Sequence, residues 1–397
     1  MMNKYISARE AADKWGISRR RVSLLCSQGR IKNACIVGGA WLIPDDAEKP
    51  EDPRGSALSK SEILSYELMD IIGSTHILTP QDDYDRVLSE ISDERLGIIL
   101  EGTLAYLRGD FEHTIRCYHK AESDEATKLC ACPLTIAAAI SIGDYSLYAQ
   151  IENYLNHILS LEVSDGVKAW AELALNTAPA SALSPVFITD WIKKGNFKSL
   201  QIQARLLAIY MRVKYFQSLG NYESMLIAAQ TALNLCDSEQ GIFFSSIYYN
   251  VACAIACSYL KRKDEAQRFL NDALDIALPH GFITPFAKSA AALGGLLELC
   301  LEQRFPEHYN AVISQWKRTF ANWVTFHNEF TKNNITHILS LRDYQIALFV
   351  AQKIPYAKIA EQFNISVGRL NNIIQDIYNT LFVHSRDELA KFILPKK

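Results

Sequence analysis

The residues best suited to chemistry are guanidinium and amide side chains that cluster near the two ends of the chain. Arginine can contact a phosphate or make paired hydrogen bonds to guanine, and asparagine and glutamine can pair in the same way with adenine. These side chains therefore point to recognition of a nucleic acid rather than to catalysis. The candidate contact residues are Arg19, Arg20, Arg21, Ser23, Arg30 and Lys32 near one end and Arg369, Asn371, Asn372, Gln375 and Asn379 near the other.

The distribution of charge supports the same interpretation. The whole chain carries a net charge of −3. Residues 1–43 hold eight basic and two acidic side chains (+6), and residues 336–397 hold eight basic and five acidic (+3), which leaves −12 for the remainder. Positive ends on an acidic body are typical of two DNA-facing termini. For the +3 end, chance clustering on solvated faces is the alternative.

The first cluster requires a pair of short helices. Ser7 and Glu10 have the spacing of a capping box, which predicts a helix start, and Gly16 is expected to end that helix in the left-handed conformation. A second helix, capped by Ser18, follows almost at once, as in a helix-turn-helix. Three arginines at its start oppose the helix dipole, so a phosphate partner is the simpler explanation. The predicted buried residues are Ala8, Ala11, Ala12, Trp15, Val22, Leu25 and Cys26.

A β-hairpin is predicted after these helices, with strands at Ile31–Val37 and Ala40–Ile43 joined by two glycines. With it, the segment resembles the winged helices of the MerR and excisionase class, which implies DNA binding through the second helix. A small protein-interaction domain of the same fold is the alternative. The resemblance is carried by residues 6–12, 16–22, 29–31 and 41–44.

The middle of the chain is predicted to be helical throughout. Gly109-Asp110 and Gly143-Asp144 lie 34 positions apart (143 minus 109), which is the period of tetratricopeptide repeats, and the segment around residues 104–121 looks like such a repeat. Similar but degenerate units are expected at Tyr215–Leu235 and Ala252–Ala277. Stacked repeats form a groove for a peptide, a protein or a small molecule. A spacer and dimerisation body is the alternative.

Four helices are predicted near the end of the chain, at 341–352, 356–363, 367–382 and 386–394, with N-caps at Ser340, Ser366 and Ser385. In the third, Leu370, Ile374, Ile377 and Leu381 form an apolar stripe, while Asn372, Gln375 and Asn379 face outward with Asp376. This segment closely resembles the LuxR-type helix-turn-helix, in which the third helix lies in the major groove. Residues 277–286 resemble a segment late in the helical region of large LuxR-family activators. The C-terminal resemblance is carried by residues 341–343, 359–366, 377–379, 381 and 385–389.

This segment departs from the LuxR pattern at positions that are usually basic. The family usually opens the third helix with Thr-Val-Lys and has a histidine two positions later, where this chain has Arg369, Leu370, Asn371 and Ile373. Thr380 replaces a further lysine. Fewer cations mean fewer neutralised phosphates. The third helix is therefore expected either to bind DNA weakly, to need dimerisation, or to serve as a docking or dimer surface.

The remaining composition argues against several other classes. The chain shows no charge-free apolar run of about 18 residues and a charged start unlike a signal peptide, so a cytoplasmic protein without a membrane span is expected. No phosphate-binding loop and no catalytic motif is present, so neither an enzyme nor a cofactor is expected. Nine cysteines lack framework spacing and are interpreted as core residues. Core packing is favoured over a zinc site at His113, Cys117, His119, Cys130 and Cys132.

The sequence therefore predicts a mainly α-helical protein in three parts: a winged helix-turn-helix at 1–54, helical repeats at 61–335 after a linker at 55–60, and a four-helix LuxR-type domain at 336–397. The predicted function is transcription regulation on double-stranded DNA, and a homodimer is expected because such domains usually read paired half-sites. One alternative is a tetratricopeptide adaptor whose end domains bind proteins. Another is a body that senses phosphate-bearing small molecules.

Overall fold

The computed structural model describes residues 5–17, 19–27, 31–37, 40–49, 59–75, 79, 82–238, 243–332, 339–381 and 383–393. Over these residues the chain is mainly helical, with one small antiparallel sheet near the N-terminus, which confirms the predicted fold class at this level. The chain forms two compact units, residues 1–60 and residues 61–397.

The first unit combines two helices with a three-stranded sheet. The predicted hairpin is present, with Cys35 opposite Leu42 and Val37 opposite Ala40. Its first strand begins at Cys35 rather than at Ile31, because residues 31–34 form a turn instead. The two glycines between the strands lie outside the described residues. The elements are β1 (Tyr5–Ser7), α1 (Ala8–Trp15), α2 (Arg19–Ser27), β2 (Cys35–Val37) and β3 (Ala40–Pro44).

Strand β1 was not predicted, and it pairs with β3 so that β3 lies in the middle of the sheet. It is only three residues long, too short for an alternating pattern to be visible in the sequence. The sheet and the two helices enclose one core. All seven residues predicted to be buried in α1 and α2 are buried, together with Ile31 and Ile43.

Helix α1 has the predicted ends. The Ser7 hydroxyl oxygen accepts a hydrogen bond from the Glu10 N–H (3.2 Å), and a Glu10 carboxylate oxygen accepts one from the Ser7 N–H (2.8 Å). Gly16 adopts φ +65° and ends the helix. Ser18, the predicted cap of α2, lies outside the described residues.

The second unit is built from helices. They are α3 (Lys60–Ser74), α4 (Tyr84–Glu90), α5 (Glu94–Arg108), α6 (Phe111–Ala121), α7 (Glu125–Ile142), α8 (Tyr145–Ser160), α9 (Asp165–Leu175), α10 (Thr177–Ser181), α11 (Asp190–Lys194), α12 (Ile202–Ser218), α13 (Tyr222–Ser238), α14 (Phe243–Tyr259), α15 (Lys263–Ala277), α16 (Thr284–Ala287), α17 (Ala290–Leu293), α18 (Gly295–Arg304) and α19 (Pro306–Thr331). Four more follow: α20 (Leu341–Ala351), α21 (Tyr356–Gln362), α22 (Val367–Leu381) and α23 (Arg386–Ile393).

The two Gly-Asp turns have the same local geometry. Gly109 and Gly143 both adopt positive φ (89° and 78°) at the end of a helix. The aspartate that follows each glycine caps the next helix by accepting a hydrogen bond from a backbone N–H three residues on, at 2.9 Å in both cases. The internal similarity seen in the sequence is therefore present in the structure of these turns.

Helix α7 is long and apolar enough to cross a membrane by length and composition, with a mean hydropathy of 1.3. Its residues are nevertheless mostly buried among the neighbouring helices, and Thr127, Leu129 and Ile136 are fully enclosed. Packing inside the second unit thus accounts for its apolar composition.

Helices α20–α23 agree with the four predicted near the end of the chain to within one residue at each boundary. Their starts are capped as expected: Ser340 accepts from the Asp343 N–H, Ser366 from the Arg369 N–H and Ser385 from the Glu388 N–H. The predicted stripe of α22, from Leu370 to Leu381, is buried in a core of its own.

Candidate functional site

In the first unit, part of the predicted contact set lies on the surface. Arg19 at the start of α2 and Lys32 after it are exposed, and Ser23 is half-buried. The apolar residues of α2 face the core, with Val22 fully buried. Arg20 and Arg21 belong to α2, but their side chains lie outside the described part of the chain, and so does Arg30.

In the second unit, α22 presents one continuous polar face. Asn371, Asn372, Gln375 and Asn379 are all exposed, and at 100° per residue they fall on one side of the helix. The Gln375 Nε2 donates a hydrogen bond to the Asn379 Oδ1 at 3.3 Å. Arg369 is exposed at the edge of this face, near the start of the helix. We call these five residues the amide face; the exposed acidic side chain of Asp376 lies among them.

The connection from α21 to α22 is short and fixes their relative placement. It spans residues 363–366, and Asn364 adopts a positive φ of 54° there, a conformation that asparagine tolerates better than most residues. The Ser366 hydroxyl then caps α22. Two helices joined by a four-residue turn have the connectivity of a helix-turn-helix.

Not every cation near the C-terminus is available to a ligand. The Arg386 guanidinium donates to the carbonyl oxygens of Val350 (2.6 Å) and Ile354 (2.7 Å) just at and beyond the end of α20. It therefore satisfies backbone acceptors at a helix end. Lys353 pairs with Asp387 at 3.2 Å. Arg386 and Lys353 are thus engaged within the protein and are not free to meet phosphates.

Helices α20–α23 are docked on the rest of the second unit. The Gln352 Nε2 donates to the carbonyl oxygen of Ser218, and the Gln362 Nε2 to that of Gly220, both at 3.2 Å. The buried His327 Nε2 lies 2.9 Å from the Tyr344 hydroxyl oxygen. These contacts are made by residues within α20 and at the C-terminal ends of α20 and α21. None of them involves α22, so its amide face remains exposed.

The predicted alternative of a zinc site is only partly assembled. His113 and Cys117 lie together, with Glu101 as a third nearby group. The Glu101 carboxylate is already engaged by the His113 Nε2 (2.6 Å) and by Lys120 (3.2 Å). Burial raises the pKa of the Cys117 thiol to about 11, which disfavours the thiolate that binds metals. Cys130 and Cys132 are buried in α7, and His119 pairs with Glu122.

The structure also contains a cavity of about 420 Å³ within the second unit, which the sequence did not reveal. Its wall includes Lys214 on α12 and Lys288 just after α16. In the sequence these two residues look like ordinary surface lysines. The one feature of the sequence that could have pointed to the cavity is Lys288, a single cation within the apolar run at residues 285–293.

Comparison with known proteins does not assign this chain to a family. No protein-family model, no curated protein and no solved structure is significantly similar to this chain. Proposals about its function therefore depend on its own residues and their geometry.

Proposed function

We propose that this chain is a transcription regulator that binds double-stranded DNA, with α22 as a recognition helix and the helical body as a scaffold for a partner or ligand. The observation that carries the proposal is the amide face. Arg369, Asn371, Asn372, Gln375 and Asn379 are exposed together, while the opposite side of the same helix is buried. Amide side chains in a row on a helix suit the edges of bases in the major groove.

The first unit supports the proposal independently. Its small sheet and two helices are compatible with the winged helix that the sequence resembles, and Arg19 and Lys32 add exposed positive charge. Because phosphate contacts supply most of the affinity and base contacts supply the specificity, we assign affinity mainly to the first unit. The amide face, which has a single arginine, then contributes sequence preference. The proposal includes a homodimer that reads paired half-sites.

The test starts from selection of bound sequences out of a random double-stranded DNA library by the purified full-length protein. Binding of the enriched sequence is then measured over a salt titration. Asn372→Ala should weaken binding to this sequence by about 1–3 kcal/mol and leave binding to unrelated DNA unchanged. Arg19→Ala should weaken both and reduce the slope of log affinity against log salt by about 1.

Matched controls come from exposed residues of the body. Asn310→Ala on α19 and Arg116→Ala on α6 remove the same chemical groups from surfaces outside the proposed interface, and both should bind DNA as the wild type does. The proposal fails if no sequence is enriched and the interface variants behave like these controls. The adaptor alternative would then be favoured.

A further inference from the structure

The cavity in the second unit carries positive charge but no negative charge. Lys214 and Lys288 both line it, and its wall has no aspartate or glutamate among the residues that the structure describes. Six of its larger aromatic residues line a mostly apolar space; they are Trp170, Tyr210, Tyr248, Trp316, Phe320 and Trp323. The volume of about 420 Å³ lies in the range of small-molecule sites, which also combine apolar walls with a few polar groups.

The two lysines are half-buried in an unfavourable environment. Burial lowers the pKa of Lys288 to about 8, and burial together with the charge of Lys288 lowers the pKa of Lys214 to about 8. A buried ammonium group is costly unless an opposite charge accompanies it. An anion inside the cavity would supply that charge to both lysines at once.

Lys288 is also held in place. Its Nζ donates hydrogen bonds to the Tyr106 hydroxyl oxygen (3.0 Å), the Ser141 hydroxyl oxygen (3.2 Å) and the Ala137 carbonyl oxygen (3.3 Å). The Lys214 Nζ contacts the Gln217 Oε1 at 2.5 Å. Both cations are therefore positioned by neutral oxygens, which leaves their charge uncompensated.

A further donor lies in the same wall. The buried indole Nε1 of Trp316 has no hydrogen-bond partner within the described part of the chain. Buried donors in proteins are nearly always satisfied by protein, water or ligand. Because this Nε1 is closed off from a water molecule, an occupant of the cavity would accept a hydrogen bond from it only after the indole turns.

We propose that this cavity is a binding site for a small organic anion, whose acidic group is held by Lys214 and Lys288 and whose flat apolar part lies among the aromatic side chains. A carboxylate and a phosphate ester share this chemistry, and the experiment below separates them. The size of the cavity and its aromatic walls favour a compact ring system over a longer flexible chain.

The cavity also reaches the docked C-terminal helices. Gln345 of α20 belongs to its wall, and Trp323 lines it while packing against the core of α20–α23. An occupant would thus touch the elements that support the amide face. A regulatory role for the anion rests on the proposed DNA binding, whereas the binding site itself does not.

The first experiment uses wild-type full-length protein without DNA. The fluorescent anion 8-anilinonaphthalene-1-sulfonate is titrated beside its neutral counterpart N-phenyl-1-naphthylamine. We expect one saturable site that binds the anion at least about 10-fold more tightly, as for hydrogen bonds to a charged group. 1-Naphthoate and 1-naphthyl phosphate should displace the probe better than neutral 1-naphthamide, and their order identifies the preferred acidic group. Absence of a saturable site, or equal affinity for the charged and neutral probes, would overturn the proposal.

The second experiment tests whether Lys214 and Lys288 supply the positive charge that binds the anion. Lys288→Met and Lys214→Met keep the length of the side chain but remove its charge, and each should weaken binding of the anion about 10-fold or more without weakening the neutral probe. Lys317→Met, at an exposed position of α19, is the matched control and should have no effect. Circular dichroism checks that each variant is folded. Asn372→Ala should bind the anion normally, so that failure of DNA binding and failure of this site are distinguishable. Wild-type affinity in both folded lysine variants would contradict the assignment.

Discussion

The side-chain amide of Gln362 donates a hydrogen bond of 3.2 Å to the carbonyl oxygen of Gly220, and this contact joins the second C-terminal helix to the turn between α12 and α13. Gln352 reaches the carbonyl oxygen of Ser218 at the same turn. The C-terminal helices therefore pack on the body through surfaces other than the amide face.

Substitution at Gly220 should disturb this docking. Gly220 has φ +63°, and an added Cβ would lie 3.2 Å from the Gln362 Nε2 and 3.3 Å from a ring carbon of Phe349. Gly281 has φ +73° with nothing within 4 Å of an added Cβ. Both changes to alanine incur about 1–2 kcal/mol of left-handed backbone strain, but Gly220→Ala should lose about 1 kcal/mol more through overpacking.

The measurement is denaturant unfolding of both variants, with hydrogen exchange over residues 341–393. Faster exchange of the C-terminal helices in Gly220→Ala alone is the expected result. Equal losses of stability in the two variants would mean that the turn does not support the docked helices.

The burial of His327 should make the second unit less stable in mild acid. Burial lowers the pKa of His327 from 6.5 to about 4, so the unfolded chain binds a proton in the interval between these values and the folded chain does not. Stability is therefore unaffected above pH 6.5 and falls as the pH drops below it, by about 2 kcal/mol at pH 5.

Thermal or denaturant unfolding from pH 7.5 to pH 5 measures this slope. His327→Gln should flatten it, whereas His157→Gln, at an exposed position of α8, should retain the wild-type slope. A wild-type slope in His327→Gln would show that other groups cause the acid sensitivity.

Two arginines of the C-terminal helices should have opposite roles. Arg386 holds the carbonyl oxygens of Val350 and Ile354, and Arg386→Ala is expected to reduce the free energy of unfolding by about 1.5–3 kcal/mol, as for hydrogen bonds to a charged group. Arg369 is exposed, and its change to alanine should alter stability by less than about 0.5 kcal/mol.

For DNA binding, the larger effect is expected from the Arg369 substitution and not from the Arg386 substitution. Arg369→Ala should lower the salt slope by about 1, and any folded population of Arg386→Ala should keep the wild-type slope. Unfolding curves and salt-titrated binding of the two variants, measured side by side, test both expectations. A reduced salt slope in Arg386→Ala would place Arg386 in the interface.

The capping box of α1 should stabilise the first unit measurably. Ser7→Ala removes the acceptor for the Glu10 N–H and should cost about 1 kcal/mol, which corresponds to a roughly fivefold higher population of the open state. Hydrogen exchange of residues 8–15 measures this effect. Asp13→Ala, an exposed position within the same helix, is the control, and equal exchange in both variants would argue against the cap.

Structural features that depend only on neighbouring residues were predictable from the sequence. The caps at Ser7, Ser340 and Ser366, the left-handed end of α1 at Gly16 and the buried stripe of α22 each follow from groups within a few positions of one another. A cap needs one side chain and one N–H in the same turn, so its pattern is readable without the rest of the fold. The resemblances to winged-helix, tetratricopeptide and LuxR-type proteins stay predictions.

Contacts between distant segments were decided by the tertiary structure alone. Strand β1 pairs with β3, which places Ile6 opposite Ile43. The C-terminal helices pack on the body through a hydrogen bond from Gln362 to Gly220, which is 142 positions away in the chain. Lys214 and Lys288 share one cavity only because α12 and the segment after α16 pack around the same space. In sequence each is a lysine with the usual preference for solvent. Its burial depends on how helices far apart in the chain are arranged, which no local pattern encodes.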